Sequence, residues 1–205
     1  MMRHKYAKIA LGVTAAIAVW ISTCVLYSYY VRWEAERCLR IFSQFRTGST
    51  TIEEATKALG PFSRYEVDGT AREFGSDYTL HTYLFKNSGY HLLGLFKPTY
   101  FQVGFTFRSD GVVIERSASL FQVPYCSVGT LESIVLSEHI QALHDSASGM
   151  IVSVFDPPSK MHVSLNPRAS DAVRKSAYDY DLKVSVRSSP LNLTEVSSLE
   201  VSTYF

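Results

Sequence analysis

Cysteine is scarce in this chain, and a surplus of either charge is missing. Three cysteines are too few for the dense disulfide framework of a small secreted scaffold. Lys and Arg number 20 and Asp and Glu 19, so the net charge is only +1. Nucleic-acid binding usually shows as a basic excess, and nothing here leads us to expect it. No solenoid or propeller period is visible. There is no Gly-x-Ser-x-Gly elbow, and "GSTT" at 48–51 lacks the lysine and the glycine spacing of a phosphate loop. His139 and His144 stand five apart, which turns the second ring about 140° from the first on a helix, and no third ligand cluster lies near them. "SAS" occurs at 117–119 and 146–148 without a supporting base. The sequence therefore names no catalytic, cofactor-binding or metal-binding residue, and no cofactor is expected.

What the chain does have is one long apolar run. Ile9 to Val31 carries no charge, and a bilayer core needs about 20 helical residues. Tyr27, Tyr29, Tyr30 and Trp33 at its far end read as an interfacial aromatic belt. The run is longer than the apolar region of a signal peptide, and we expect an uncleaved single-pass anchor. The alternatives are a signal peptide cut near Ala18 or Ser22, and a lipoprotein signal at "ISTC", where Thr23 and the apolar residues after Cys24 depart from the pattern. The Lys/Arg count on the two sides does not choose an orientation, but the basic head of Arg3, Lys5 and Lys8 has the layout of a signal anchor, and we expect residues 32–205 outside the cytoplasm. In such a compartment Cys38 and Cys126 could pair; two buried or free thiols are the alternative.

After the anchor, residues 32–46 contain no Gly or Pro, and Leu39, Ile41, Phe42 and Phe45 form a helical stripe. Gly48 breaks this helix. "TIEE" at 51–54 is a capping box, with Thr51 as N-cap and Glu54 three residues on. Ala55, Ala58 and Leu59 give a small apolar face. Gly60 is expected to stop the helix and Pro61 to forbid its continuation. A helix of two turns is unstable alone, so it must dock, and the stripe of 32–46 is the expected partner.

Residues 45–61, "FRTGSTTIEEATKALGP", resemble the SmpA/OmlA (BamE-like) envelope domain. Gly48, Thr50, Thr51, Glu54, Ala55, Leu59 and Gly60 match its pattern. Ala55 stands where Val is commoner, and Pro61 follows the glycine directly. The resemblance implies two packed helices followed by a small antiparallel sheet, and an association with outer-membrane β-barrel assembly. It makes Gly48, Thr51, Glu54, Leu59, Gly60 and Pro61 architectural residues.

The strand pattern agrees with that layout. Residues 77–85 read as a strand, and 87–89 as a turn. In 100–108, Phe101, Val103, Phe105 and Phe107 share one face. Residues 109–111 make a tight turn and 112–122 the return strand. Residues 123–129 read as a connection, 131–145 as strand or helix, 150–155 and 161–165 as strands, 167–181 as a helix and 182–188 as a strand. The expectation is an α+β chain: anchor 9–31, helix–helix–sheet domain 32–122, α+β extension 123–188, and a loosely ordered tail 189–205. The function expected is a non-catalytic membrane-anchored interaction module of the cell envelope with an unidentified protein partner. A periplasmic small-ligand module, with a cavity lined by His81, Tyr83 or Tyr100, is the alternative; a hydrolase-like enzyme is the third.

Overall fold

The computed structural model describes residues 2–67, 78–122, 126–133, 150–155, 160–166, 168–180, 182 and 200–204. Its first element, α1 (Met2–Phe42), is a single helix of 41 residues. At 1.5 Å per residue it spans about 60 Å. Its segment from Tyr6 is long and apolar enough to cross a membrane. A buried stripe, Cys24, Ser28, Val31, Ala35, Cys38, Leu39 and Phe42, runs along its second half. Spacings of three and four put these side chains on one face.

The helix ends at Phe42, four residues before the expected boundary. Phe45 N–H turns back to the Phe42 carbonyl at 3.2 Å. The same carbonyl accepts a hydrogen bond from Arg116 Nη1 at 3.1 Å. A second donor aimed at a last-turn carbonyl favours closing the helix there.

The order then runs α2 (Ile52–Leu59), a 3₁₀ turn (Gly60–Tyr65), β1 (Tyr78–Asn87), α3 (Gly89–Leu92), β2 (Thr99–Arg108) and β3 (Val113–Gln122). It continues with β4 (Cys126–Ser133), β5 (Met150–Phe155), β6 (Lys160–Leu165), α4 (Asp171–Ala177) and β7 (Glu200–Tyr204). The chain is α+β. One sheet takes the order β1-β2-β3-β4-β6-β5-β7. The first four strands form an antiparallel meander. Beyond it the sheet is mixed: β4 with β6 and β5 with β7 pair in parallel. The described strands after residue 122 therefore extend the first sheet.

Several local expectations are corrected. The connection after β3 is shorter, because β4 already starts at Cys126. The expected turn at 87–89 leads into α3. The helix expected at 167–181 is the shorter α4, started by the Ser170 side chain, which accepts from Val173 N–H at 3.3 Å. Part of the expected tail pairs as an edge strand, β7. Residues 134–149, 183–199 and the Asp156-Pro157-Pro158 stretch lie outside the described residues, and so do His139 and His144.

The alternation in β2 buries Phe101, Val103, Phe105 and Phe107 on one face. They meet Phe42, Phe45, Leu59 and Phe62 from the helical layer in one continuous core. The Phe105 ring lies 4.8 Å from Phe42 and 5.5 Å from Phe45. Between Thr106 and Phe107 the β2–β3 register shifts. This bulge lets the consecutive residues Val113 and Ile114 both be buried.

Candidate functional site

The capping box is present in full. Glu54 N–H donates to Thr51 Oγ1 at 3.3 Å, and Thr51 N–H donates to Glu54 Oε2 at 3.1 Å. Gly48 sits at φ 82°, a conformation costly for other residues. Its N–H donates to the Val113 carbonyl at 2.7 Å, and Val113 N–H to the Thr50 carbonyl at 2.9 Å. Residues 48–52 are thus laced onto the β2–β3 turn, where Gly111 takes φ 78°. Ala55 and Leu59 are buried in the common core. Gly60 differs from expectation. It stays right-handed helical at φ −46°, and the chain continues as the 3₁₀ turn with Pro61 in its first positions. Proline is tolerated there because a first-turn N–H has no intrahelical acceptor.

Beneath the end of α1 lies a buried ion network that was not among the expected features. Arg116 and Glu132 are both fully buried, and Arg174 is nearly so. Neighbouring strands set Arg116 and Glu132 opposite each other. Arg116 donates from Nε at 2.9 Å and from Nη2 at 2.6 Å to Glu132 Oε2. Arg174 Nε, from α4, reaches the same oxygen at 3.2 Å. Thr47 Oγ1 donates to Oε1 at 2.8 Å. One carboxylate thus serves two guanidinium groups. The Tyr178 ring lies 4.5 Å from the Arg116 guanidinium carbon and spreads the surplus charge over a π face.

Above this network an open groove of about 450 Å³ lies between the end of α1 and α4. Arg40, Arg46, Arg174 and Lys175 line it, against Asp171 and Asp179. Arg46 pairs with Asp171 at 2.9 Å, and Arg174 reaches that carboxylate at 3.2 Å. The groove suits an anion electrostatically, but two of its four cations already hold protein carboxylates.

The residues proposed for a ligand cavity do not converge. Tyr83 is buried in the core, and burial, then Glu66 and Cys38, push its phenol up to about 12. His81 Nδ1 lies 2.9 Å from Glu66 Oε1, and the ring sits edge-on to Phe107. Tyr100 belongs to the opposite sheet face, since it is one residue out of phase with Phe101. There it stacks on Phe121 at 5.2 Å. Tyr178 and Tyr180 are also held protonated, chiefly by burial. The Tyr180 hydroxyl is bonded to the Ala118 carbonyl and to Thr130 Oγ1 at 2.9 and 2.8 Å.

Cys38 is a free, buried cysteine in the interface between α1 and the sheet, with no disulfide. Burial, with Glu34 behind it, pushes its thiol up to about 12. The side chain of Cys126, the other half of the expected pair, lies outside the described residues. Among the described residues no group of three or more His, Cys, Asp or Glu is placed to hold a metal ion.

Sequence reasoning missed Arg116, Glu132 and Arg174. The one available signal was a charge of each sign inside otherwise alternating strands, Arg116 in "VIERSASL" and Glu132 in "GTLES". Comparison with known proteins is silent: no family model, no curated protein and no solved structure matches the chain.

Proposed function

We propose that this protein is a membrane-anchored, non-catalytic interaction module of the bacterial cell envelope. Its body would stand in the periplasm, and residues 32–122 would form a BamE-like core. The observation that carries the reading is the continuity of α1. The helix that bears the apolar run also supplies Val31, Ala35, Cys38, Leu39 and Phe42 to the domain core. A domain joined this way cannot swivel freely on its anchor, and an anchored binder searches for its partner only in the plane of the membrane. The BamE-like reading is supported by the capping box and by the helix–helix–sheet order. The partner would meet the sheet face opposite the helices, where Tyr100 and Phe121 are half-buried and stacked.

The test has two stages. Cells whose outer envelope alone has been opened are treated with protease, which should digest the domain. A domain protected until the inner membrane is breached would overturn the location. Photocrosslinking groups placed at Tyr100 and Phe121 should then capture one discrete protein in intact cells, and failure at both positions would remove the partner reading.

The groove between α1 and α4 favours a second reading, a module for a small anionic ligand. Inorganic phosphate or citrate should then raise the melting temperature of the full chain more than chloride at equal ionic strength.

A further inference from the structure

We infer that the β1–β2 connection, residues 88–98, is a second membrane contact that dips into the bilayer beside α1. The inference rests on α1 spanning the membrane.

Position is the first argument. Asn87 Nδ2 donates to the Ser28 carbonyl at 3.2 Å. Gly89 packs so tightly on α1 that a Cβ there would collide with the Cys24 carbonyl and the Ser28 hydroxyl. Cys24 and Ser28 are only 3% and 2% exposed, although both lie inside the uncharged run that ends at Val31. Cys24 is seven residues before Val31, about 10 Å further down the helix.

The water level has its own marker. Tyr30 and Trp33 carry a collar of charge: Arg37 lies 4.6 Å over Trp33, and Arg64 hydrogen-bonds Tyr30 and pairs with Glu34 at 3.1 Å. Such a mixture of rings and guanidinium groups belongs at the interface. The connection packs on α1 below that collar, on the membrane side.

Chemistry is the second argument. Leu92, Leu95 and Phe96 are 54%, 61% and 50% exposed, and they belong to the segment that Gly89 packs against the apolar run of α1. A loop entering lipid must satisfy its own backbone. Four N–H groups at its tip are satisfied within the loop. Leu92 N–H donates to Ser88, Leu93 and Leu95 to Tyr90, and Gly94 to His91. Gly94 at φ 70° makes the fold-back possible. The occupant is therefore the acyl-chain boundary of the bilayer, and the domain stands on two points with its sheet fixed relative to the membrane plane.

Fluorescence quenching in reconstituted vesicles tests this with the full chain. The chain has two tryptophans, Trp20 and Trp33. One variant, Trp33→Phe, reports from Trp20 within the span. Two more carry Trp20→Phe and Trp33→Phe with either Phe96→Trp or Leu92→Trp. Phosphatidylcholine with brominated acyl chains should quench positions 96 and 92 to within about twofold of position 20, and aqueous iodide should quench them little. Quenching by iodide and not by lipid would put the loop in water and overturn the inference. Protection from both quenchers would mean that a protein surface, such as a second copy, covers the patch, which also overturns it. If Trp20 itself escapes brominated lipid, the spanning reading has failed, and this inference fails with it.

Discussion

Replacing Glu132 by glutamine should be among the most damaging single substitutions in the domain. The carboxylate is fully buried and accepts from Arg116 Nε and Nη2, from Arg174 Nε and from Thr47. Glutamine keeps the shape but brings no charge. Its one carbonyl oxygen can still accept from Arg116, which also keeps the Phe42 carbonyl and the face of Tyr178, but two buried guanidinium groups lose their countercharge. Stranding a buried charge costs about 3–5 kcal/mol. In a domain of this size each kcal/mol shifts the melting temperature by about 2–4 °C, so the drop should be about 6–20 °C. Thermal unfolding of the full chain in detergent reads it directly. Arg46→Ala, which removes a pair 57% and 75% exposed, serves as the surface control. A second arm sharpens the result. Arg116→Met, Glu132→Leu and Arg174→Met together remove every charge of the buried network, and should recover much of the loss, because apolar replacements of buried ion sets are often neutral or stabilising. A Glu132→Gln protein that melts with the surface control would refute the reasoning, and so would a triple variant less stable than the single one.

Three other outcomes are expected. Thr51→Ala removes the acceptor of the capping box and should cost about 0.5–2 kcal/mol, measured in the same melts, with Thr51→Ser close to wild type. Gly111→Ala should cost about 1–2 kcal/mol, because φ is 78° and the new methyl would press on Ile52 at 3.3 Å; Gly60→Ala, at a right-handed position with open space around it, should be neutral or mildly stabilising. At alkaline pH, Cys38 and Tyr83 keep their protons in the fold up to about 12, from starting values of 9.0 and 10.0. Their contribution is whole below about pH 9 and is lost as the pH rises toward about 12, since the unfolded chain releases protons that the fold retains. Melting temperatures across that window should fall together with a cooperative rise in tyrosinate absorbance; gradual tyrosine ionisation in a still-folded protein would contradict this.

The elements legible in the sequence were those whose cause is local. Thr51 and Glu54 form their box because the partners stand three residues apart. Phe101 to Phe107 alternate because a strand has period two, and Gly111 turns the chain because it tolerates positive φ. The apolar run at 9–31 reads directly as helix, since a run of that length suited to lipid must pair its backbone within itself and no proline removes a donor. Gly60 was misread because the same Leu-Gly-Pro can end an α-helix or pass into a 3₁₀ turn, and the packing of Phe62 beneath it decides. The buried Phe62 side chain is fully enclosed in the core that contains Ala55 and Leu59.

Tertiary structure decided what depends on distant partners. Arg116 and Glu132 look like surface charges until strand pairing sets them face to face and α4 brings Arg174 from far along the chain. Cys24 and Ser28 look like ordinary residues of a lipid-facing helix until Gly89 covers them. The sequence by itself determined a long apolar helix, a capped short helix and a set of alternating strands, because hydrogen bonding and side-chain period act within a few residues. It could not determine the mixed sheet, the buried ion network or the packing of Gly89 on α1, because each is made by groups that meet only once the chain has folded.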